Sequence, residues 1–315
     1  MTDLKLINMQ DIEVKPVEWL WYPFIPLGKI TIVQGDPGEG KTTLLLRIIS
    51  LLTTGGEFPE SQECHEVSNV IYQTAEDGLA DTIKPRLLEA KADCSKVMVI
   101  DDSEKELTMT DERLEQAIIA TNAKLIVLDP IQAYLGAGVD MHRANEVRPI
   151  MKRLSVLAEK HGCAVVLIGH MNKATGNNAN HRGLGSVDFQ AATRSVLIVG
   201  RIKDDPDTRV VVQGKSSLAP EGKPIAFRLD HEKGFYWIGE YDISVDDLLK
   251  GENRGRKRKE AEEFLKEILG NGQIPQSEIE EQAEVRGIKM KTLRNAKYAL
   301  NVDSIKVGSS WFWTL

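Results

Sequence analysis

No apolar run in this sequence approaches the roughly 18 residues of a membrane span. Its first residues carry no basic segment followed by an apolar core, so neither an anchor nor a secretory leader is expected. Cysteine is scarce. Cys64, Cys94 and Cys163 are scattered without a C-x-x-C pair, which argues for free thiols in a reducing compartment rather than a disulfide framework. Internal repeats and low-complexity segments are missing as well, so nothing suggests a repeat array. Positive charge is not in excess, and the net −7 excludes a uniformly basic nucleic-acid binder. What is there is ordinary: 42% hydrophobic and 28% charged residues among 315 suit a large domain with a sizeable core plus a small one. The expectation is a cytoplasmic protein with no membrane partner.

Charge is unevenly spread. From Glu252 onward twelve Lys/Arg stand against ten Asp/Glu, a net +2 that leaves −9 to the rest. Arg254, Arg256, Lys257, Arg258 and Lys259 crowd one stretch, read either as a solvated linker or as a nucleic-acid contact.

The organising stretch is Gly35-Asp36-Pro37-Gly38-Glu39-Gly40-Lys41-Thr42, which fits G-x-x-x-x-G-K-[ST]. An apolar run, residues 30–33, precedes it and a leucine-rich helical run, 43–52, follows. Glycines let the backbone curl so that successive N–H groups face phosphate oxygens at the positive end of a helix. Gly35, Pro37, Gly38, Glu39, Gly40, Lys41, Thr42 and Thr43 are the expected nucleotide contacts. Lys41 would reach the β/γ-phosphates, and the Thr42 hydroxyl would take a position on Mg²⁺.

Residues 1–28 read as irregular, with Trp19, Trp21, Tyr22 and Phe24 among prolines. Such a segment could lie on a surface, on a neighbouring subunit, or as a lid on its own domain. Short apolar runs then alternate with helices at 79–91, 111–121 and 145–161, the pattern of a buried parallel sheet with right-handed crossovers. After about Ser186 four closely spaced strands suggest an antiparallel edge extension. Residues 242–258 read as a linker. Beyond it lie three helices (259–269, 277–286 with Ser277 as cap, and 289–300) and a hairpin around Gly308, the architecture of a winged helix. The expected division is therefore 1–28, an ATPase domain over 29–241, the linker, and a small domain over 259–315.

Further chemistry is expected at strand ends. Leu125-Ile126-Val127-Leu128-Asp129 is an apolar strand closing on a carboxylate, placed to hold Mg²⁺ beside the P-loop. Residues 70–77 end in Glu76 and Asp77. Glu76 is the favoured general base for an attacking water, with Asp77 as the alternative or as a helix cap. His170 closes another strand, either as a γ-phosphate sensor or satisfied locally. Long polar loops at 134–143 and 171–188 carry Lys173 and Arg182, candidate donors to polynucleotide phosphates. Lys215 and Arg194 are candidate cations delivered to a neighbour's site, with Arg182 and Arg201 behind them.

In their order, Gly35…Lys41-Thr42, Ala75-Glu76-Asp77, Leu128-Asp129-Pro130, Gly169-His170-Met171-Asn172-Lys173, Arg182-Gly183 and Gly214-Lys215-Ser216-Ser217-Leu218 resemble the RecA-like ATPases. Among these the match is to the plasmid RepA type of hexameric replicative helicase and to similar phage or mobile-element ATPases, over about residues 20–240. The tail, with Lys291-Thr292-Leu293-Arg294 and Trp311-Phe312-Trp313, resembles the winged helix appended to such ATPases. The resemblance implies a RecA-like α/β fold: a mostly parallel sheet, an antiparallel edge extension and a small C-terminal winged-helix domain. It implies a hexameric ring that uses ATP and Mg²⁺ between subunits and grips single-stranded DNA, with double-stranded DNA a further partner. Lys41 and Thr42 take the Walker A roles, Glu76 the catalytic glutamate, Asp129 the Walker B aspartate and His170 the phosphate sensor. Many relatives place an Arg two residues after the finger lysine; here Ser217 stands there, which shifts weight toward Arg194. In the small domain Lys291, Arg294, Lys297 and Lys306 are expected phosphate contacts, unless that domain binds protein. The reading is an ATPase and DNA helicase of plasmid, phage or mobile-element replication. An ATP-switched DNA-binding regulator is the rival, and a P-loop kinase is disfavoured because no stretch resembles an acceptor lid.

Overall fold

The β-branched apolar runs become neighbouring strands of one nine-stranded sheet. The computed structural model describes residues 6–61, 65–171, 187–203, 205–230, 232–251, 254–270, 272–308 and 310–315. In chain order come β1 (Trp19–Trp21), β2 (Ile25–Pro26), β3 (Ile30–Gly35), α1 (Lys41–Thr54), β4 (Val70–Thr74), α2 (Lys84–Glu89), β5 (Val97–Met98) and α3 (Glu112–Thr121). Then follow β6 (Leu125–Asp129), α4 (Ala144–His161), β7 (Ala164–His170), α5 (Val187–Ala192), β8 (Ser195–Ile202), β9 (Asp205–Ser216), β10 (Ile225–Asp230) and β11 (Gly234–Glu240). The chain closes with α6 (Val245–Lys250), α7 (Arg254–Leu269), β12 (Ile274–Pro275), α8 (Gln276–Val285), α9 (Met290–Ala299), β13 (Asp303–Val307) and β14 (Ser310–Thr314).

The sheet order is β11-β10-β9-β8-β3-β7-β6-β4-β5, parallel from β8 to β5 and antiparallel from β8 outward to β11. Successive side chains leave a strand on opposite faces, so Val33 packs with α1 and α2 while Ile30 and Ile32 pack with α3 and α4. Both faces are covered, which is why the central strands read as unbroken apolar runs. α6 closes the β8–β9–β10 end through Leu248. A separate core of Phe264, Leu265, Ile279, Leu293, Ala296 and Trp313 joins α7, α8 and α9 to a sheet of order β12-β14-β13. No described helix is long and apolar enough to cross a membrane.

Four local expectations change. The irregular N-terminal stretch contains the antiparallel pair β1–β2, and Trp21 stacks on Phe58 at 5.7 Å and meets Trp237 at a tilt, 5.9 Å between ring centres. It covers its own domain, because burying those rings outweighs the break that prolines suggest. The stretch read as a linker contains α6, capped by Ser244, whose hydroxyl accepts from the Asp247 N–H. Leu248 fits over Gly200, where an added Cβ would lie 2.9 Å from its Cγ. The helix expected over 79–91 divides into a π-turn, Leu79–Ile83, and α2. α8 begins after Pro275, so Ser277 lies inside it and is not its cap.

Candidate functional site

α1 starts at Lys41 directly after the loop, and the loop turns through Gly38 (φ 78°) and Gly40 (φ 88°), a conformation other residues adopt only with strain. Gly35 has a different reason: a Cβ there would lie 2.2 Å from the Val199 carbonyl oxygen of β8. Lys41 Nζ donates to the carbonyls of Gly35 and Asp36, both at 2.9 Å, and lies 3.3 Å from His170 Nδ1. Burial pushes this ammonium below the ordinary lysine value, while Asp129, Asp36, Glu39 and Glu76 act the other way. Pro37 and Gly38 are exposed at the loop tip, and Thr42 and Thr43 sit in the first turn of α1, where backbone N–H groups lack helical partners.

Parallel pairing lines up the ends of β3, β7, β6 and β4, with Gly35 beside His170 and Thr74 beside Asp129. The Thr42 hydroxyl donates to Asp129 Oδ2 at 2.8 Å, and the Tyr72 hydroxyl to the same oxygen at 3.0 Å. Burial raises the Asp129 carboxyl above the usual carboxylate range, against the pull of those two hydrogen bonds. Burial and Asp129 likewise push the Tyr72 phenol up. Sequence reasoning missed Tyr72: it reads as strand filler, and only the β4–β6 adjacency brings its hydroxyl to Asp129. A hydroxyl and a carboxylate at this spacing are hard oxygen donors of the number Mg²⁺ takes from protein when phosphates and water complete its shell. Asp77 pairs with Arg86 at 3.3 Å, whereas Glu76 is exposed just past β4 and has no hydrogen bond or ion pair among the described residues.

The cations fall in two places. Arg201, at the end of β8, donates to the Gly38 carbonyl of its own loop at 3.2 Å. Arg194 is level with Ile30, five residues back from Gly35, so roughly 16 Å along the strand. Lys215 pairs with Val196 on the same side of the sheet, and its ammonium donates to the carbonyls of Gln190 (2.6 Å) and Thr193 (2.8 Å). Burial, then Arg194, lowers the Lys215 value. Neither reaches the Walker residues of its own chain. Lys173 and Arg182 lie outside the described residues, as does Cys64.

Compared with known proteins, residues 2–176 match the family model described as "AAA domain", more than half of the chain. The chain belongs to the AAA domain family. Protein RecA 1 of Myxococcus xanthus is 24% identical to it over 293 residues, 80% of this chain and 81% of that protein. The DNA repair protein RadA of Halalkalibacterium halodurans is 27% identical over 149 residues, 46% of this chain but only 28% of RadA. A KaiC-like protein of Pyrococcus horikoshii shares 16% identity, with 68% of this chain and 90% of that one covered at a TM-score of 0.49. The fold of this AAA-domain chain is RecA-like: a P-loop α/β sheet, mostly parallel, with an antiparallel extension and a further small antiparallel sheet.

Outside the AAA match, the small module positions the remaining candidates. Arg294 is exposed on α9, Lys291 lies in the first turn of that helix, and Lys306 is exposed on β13. Lys306 Nζ lies 5.9 Å from the centre of the Trp311 ring. Lys297 is turned inward: its ammonium sits 4.5 Å over the Trp313 ring and donates to the Ser304 hydroxyl, so the module itself holds it.

Proposed function

We propose that this AAA-domain protein is a Mg²⁺-dependent ATPase that works as a ring, of six copies, on DNA, as the replicative helicase of a plasmid, phage or other mobile element, of the RepA type. Lys41 would bind the β/γ-phosphates once its donors leave the Gly35 and Asp36 carbonyls. Thr42 and Asp129 would hold the magnesium, which supplies charge neutralisation at the phosphates. Glu76 would take the proton of the attacking water, and His170, beside Lys41, would register whether the γ-phosphate is present.

The observation behind the ring is the separation of charge. The P-loop, Asp129 and Glu76 lie at the C-terminal ends of the parallel strands, and Lys215 and Arg194 toward their opposite ends. A composite site between copies is the arrangement in which those cations meet a transferred phosphoryl group. Residues 259–315 we read as a winged helix, with α9 toward the major groove and Lys291, Arg294 and Lys306 toward phosphates. Lys173 and Arg182 are assigned to the single-strand grip on the length and polarity of the loop at 171–188 and on the resemblance.

The test is ATP turnover with and without single-stranded DNA, alongside displacement of a labelled strand from a forked duplex. The motor reading expects DNA to raise turnover and strands to separate. The Glu76→Gln variant should bind ATP while its turnover falls by about 10²-fold or more. Slow turnover with no displacement would instead assign the protein as an ATP-switched DNA binder.

A further inference from the structure

We propose that Arg201 is a positioning residue of the P-loop: it holds the Gly38 carbonyl outward and so aims the Glu39 N–H into the phosphate cradle. The inference rests on the nucleotide reading above and concerns a residue outside the Walker motifs. Its guanidinium makes two contacts, Nη2 to the Gly38 oxygen at 3.2 Å and Nε to Glu39 Oε1 at 3.8 Å. In a trans peptide the C=O and the following N–H point in opposite directions. With the Gly38 oxygen fixed outward, the Glu39 N–H therefore turns inward. It lies 3.4 Å from the Asp36 carbonyl, the oxygen that also takes the Lys41 ammonium.

Arg201 is, among the described residues, the side chain that bonds the Gly38 carbonyl. Among the described residues no atom lies within 4 Å of a Cβ built at Gly38, and Gly38 itself sits at φ 78°. Arg201, by contrast, stands on a firm base, at the end of β8 next to Gly200, which Leu248 of α6 covers. Directly across the ladder is Arg209, 9% exposed and lowered first by burial and then by Arg201. Two like charges side by side need anions: Asp205, Asp207 and Glu39 act on Arg209, and Glu39 pairs with Arg201 while its Oε2 is buried and lacks a hydrogen-bond partner. The loop carboxylate thus serves as the counter-charge that keeps Arg201 aimed at the tip. A planar fork suits both contacts at once, which a lysine cannot match.

Titration of the full-length protein with ADP and with a non-hydrolysable ATP analogue tests this. Arg201→Ala should weaken both by the same factor, about tenfold, with KM rising more than kcat falls. Arg201→Lys should recover part of the loss through the Gly38 carbonyl. Glu39→Ala should lose less, and the double variant no more than Arg201→Ala, a coupling that also reads out if Arg201→Ala melts early. A loss that grows from ADP to the ATP analogue would make Arg201 a phosphate contact and overturn positioning. Unchanged affinities in Arg201→Ala, beside lost binding in Lys41→Ala, overturn the inference alone. Wild-type protein that binds neither nucleotide overturns the nucleotide reading as well.

Discussion

Asp129 is held where an ionised carboxylate is expensive. It lies at the end of a strand buried on both faces, and burial is the largest influence on its proton. In the unfolded chain its value is the ordinary 3.8, and folding raises it. The folded protein therefore binds that proton more tightly, so stability from this group is fully present below 3.8 and is lost as pH rises through the folded value. An ionised carboxylate here works against stability, the trade expected of the metal-holding role proposed for it. Asp129→Asn should accordingly melt a few degrees higher than wild type at pH 7, with the gap narrowing toward pH ~4, while ATP turnover collapses. A lower melting temperature at pH 7 would show that the hydrogen bonds from Thr42 and Tyr72, rather than burial, dominate the site.

At the scale of elements, what could be read in advance was what short-range chemistry decides. α3 is an example: the sequence offers Thr110 or Asp111 as its cap, and it is the Asp111 side chain that accepts from the Arg113 N–H. Arg113 returns two further hydrogen bonds, and that pairing holds the Asp111 carboxyl down at about 2. Because the folded value is depressed, the stabilisation is present above the unfolded 3.8 and is lost as pH falls through about 2. Asp111→Ala should cost about 1 kcal/mol at pH 7 by chemical denaturation. The difference from wild type should shrink across that acid window, and an unchanged gap at the acid end would remove the cap from this account. The β1–β2 pair and α6 were not legible, since each exists to cover something distant in sequence, Trp21 against Phe58 and Trp237, Leu248 over Gly200. No local pattern announces such partners. For the same reason Tyr72 stayed hidden, and Arg201, a reserve candidate for a neighbour's site in the sequence, turns instead to its own loop; the loop glycines, Lys41 and Asp129 stood out, because a motif specifies spacing along the chain and says nothing of cross-strand neighbours.

At the scale of the whole molecule the sheet has two chemically different ends. One carries the phosphate cradle and carboxylates; the other carries Arg194 and Lys215, the latter bonded to the carbonyls of Gln190 in α5 and Thr193 just after it. A cation tied to that segment, on the far side from its own P-loop, can take part in hydrolysis only by serving another copy. Each kind of defect should then be rescued by the other. Lys41→Ala lacks a working cradle but keeps its cations, whereas a Lys215→Ala, Arg194→Ala double variant keeps the cradle and lacks both cations. Each alone should be inactive. In randomly mixed closed rings from equal amounts, about a quarter of the interfaces would join an intact cradle to intact cations. Turnover should rise from near zero to a comparable fraction of wild type, following the product of the two mole fractions as the ratio is varied. Mixtures that stay inactive at every ratio, while native mass spectrometry shows that they co-assemble, would place the completing charge within a single chain and remove the reason for a ring.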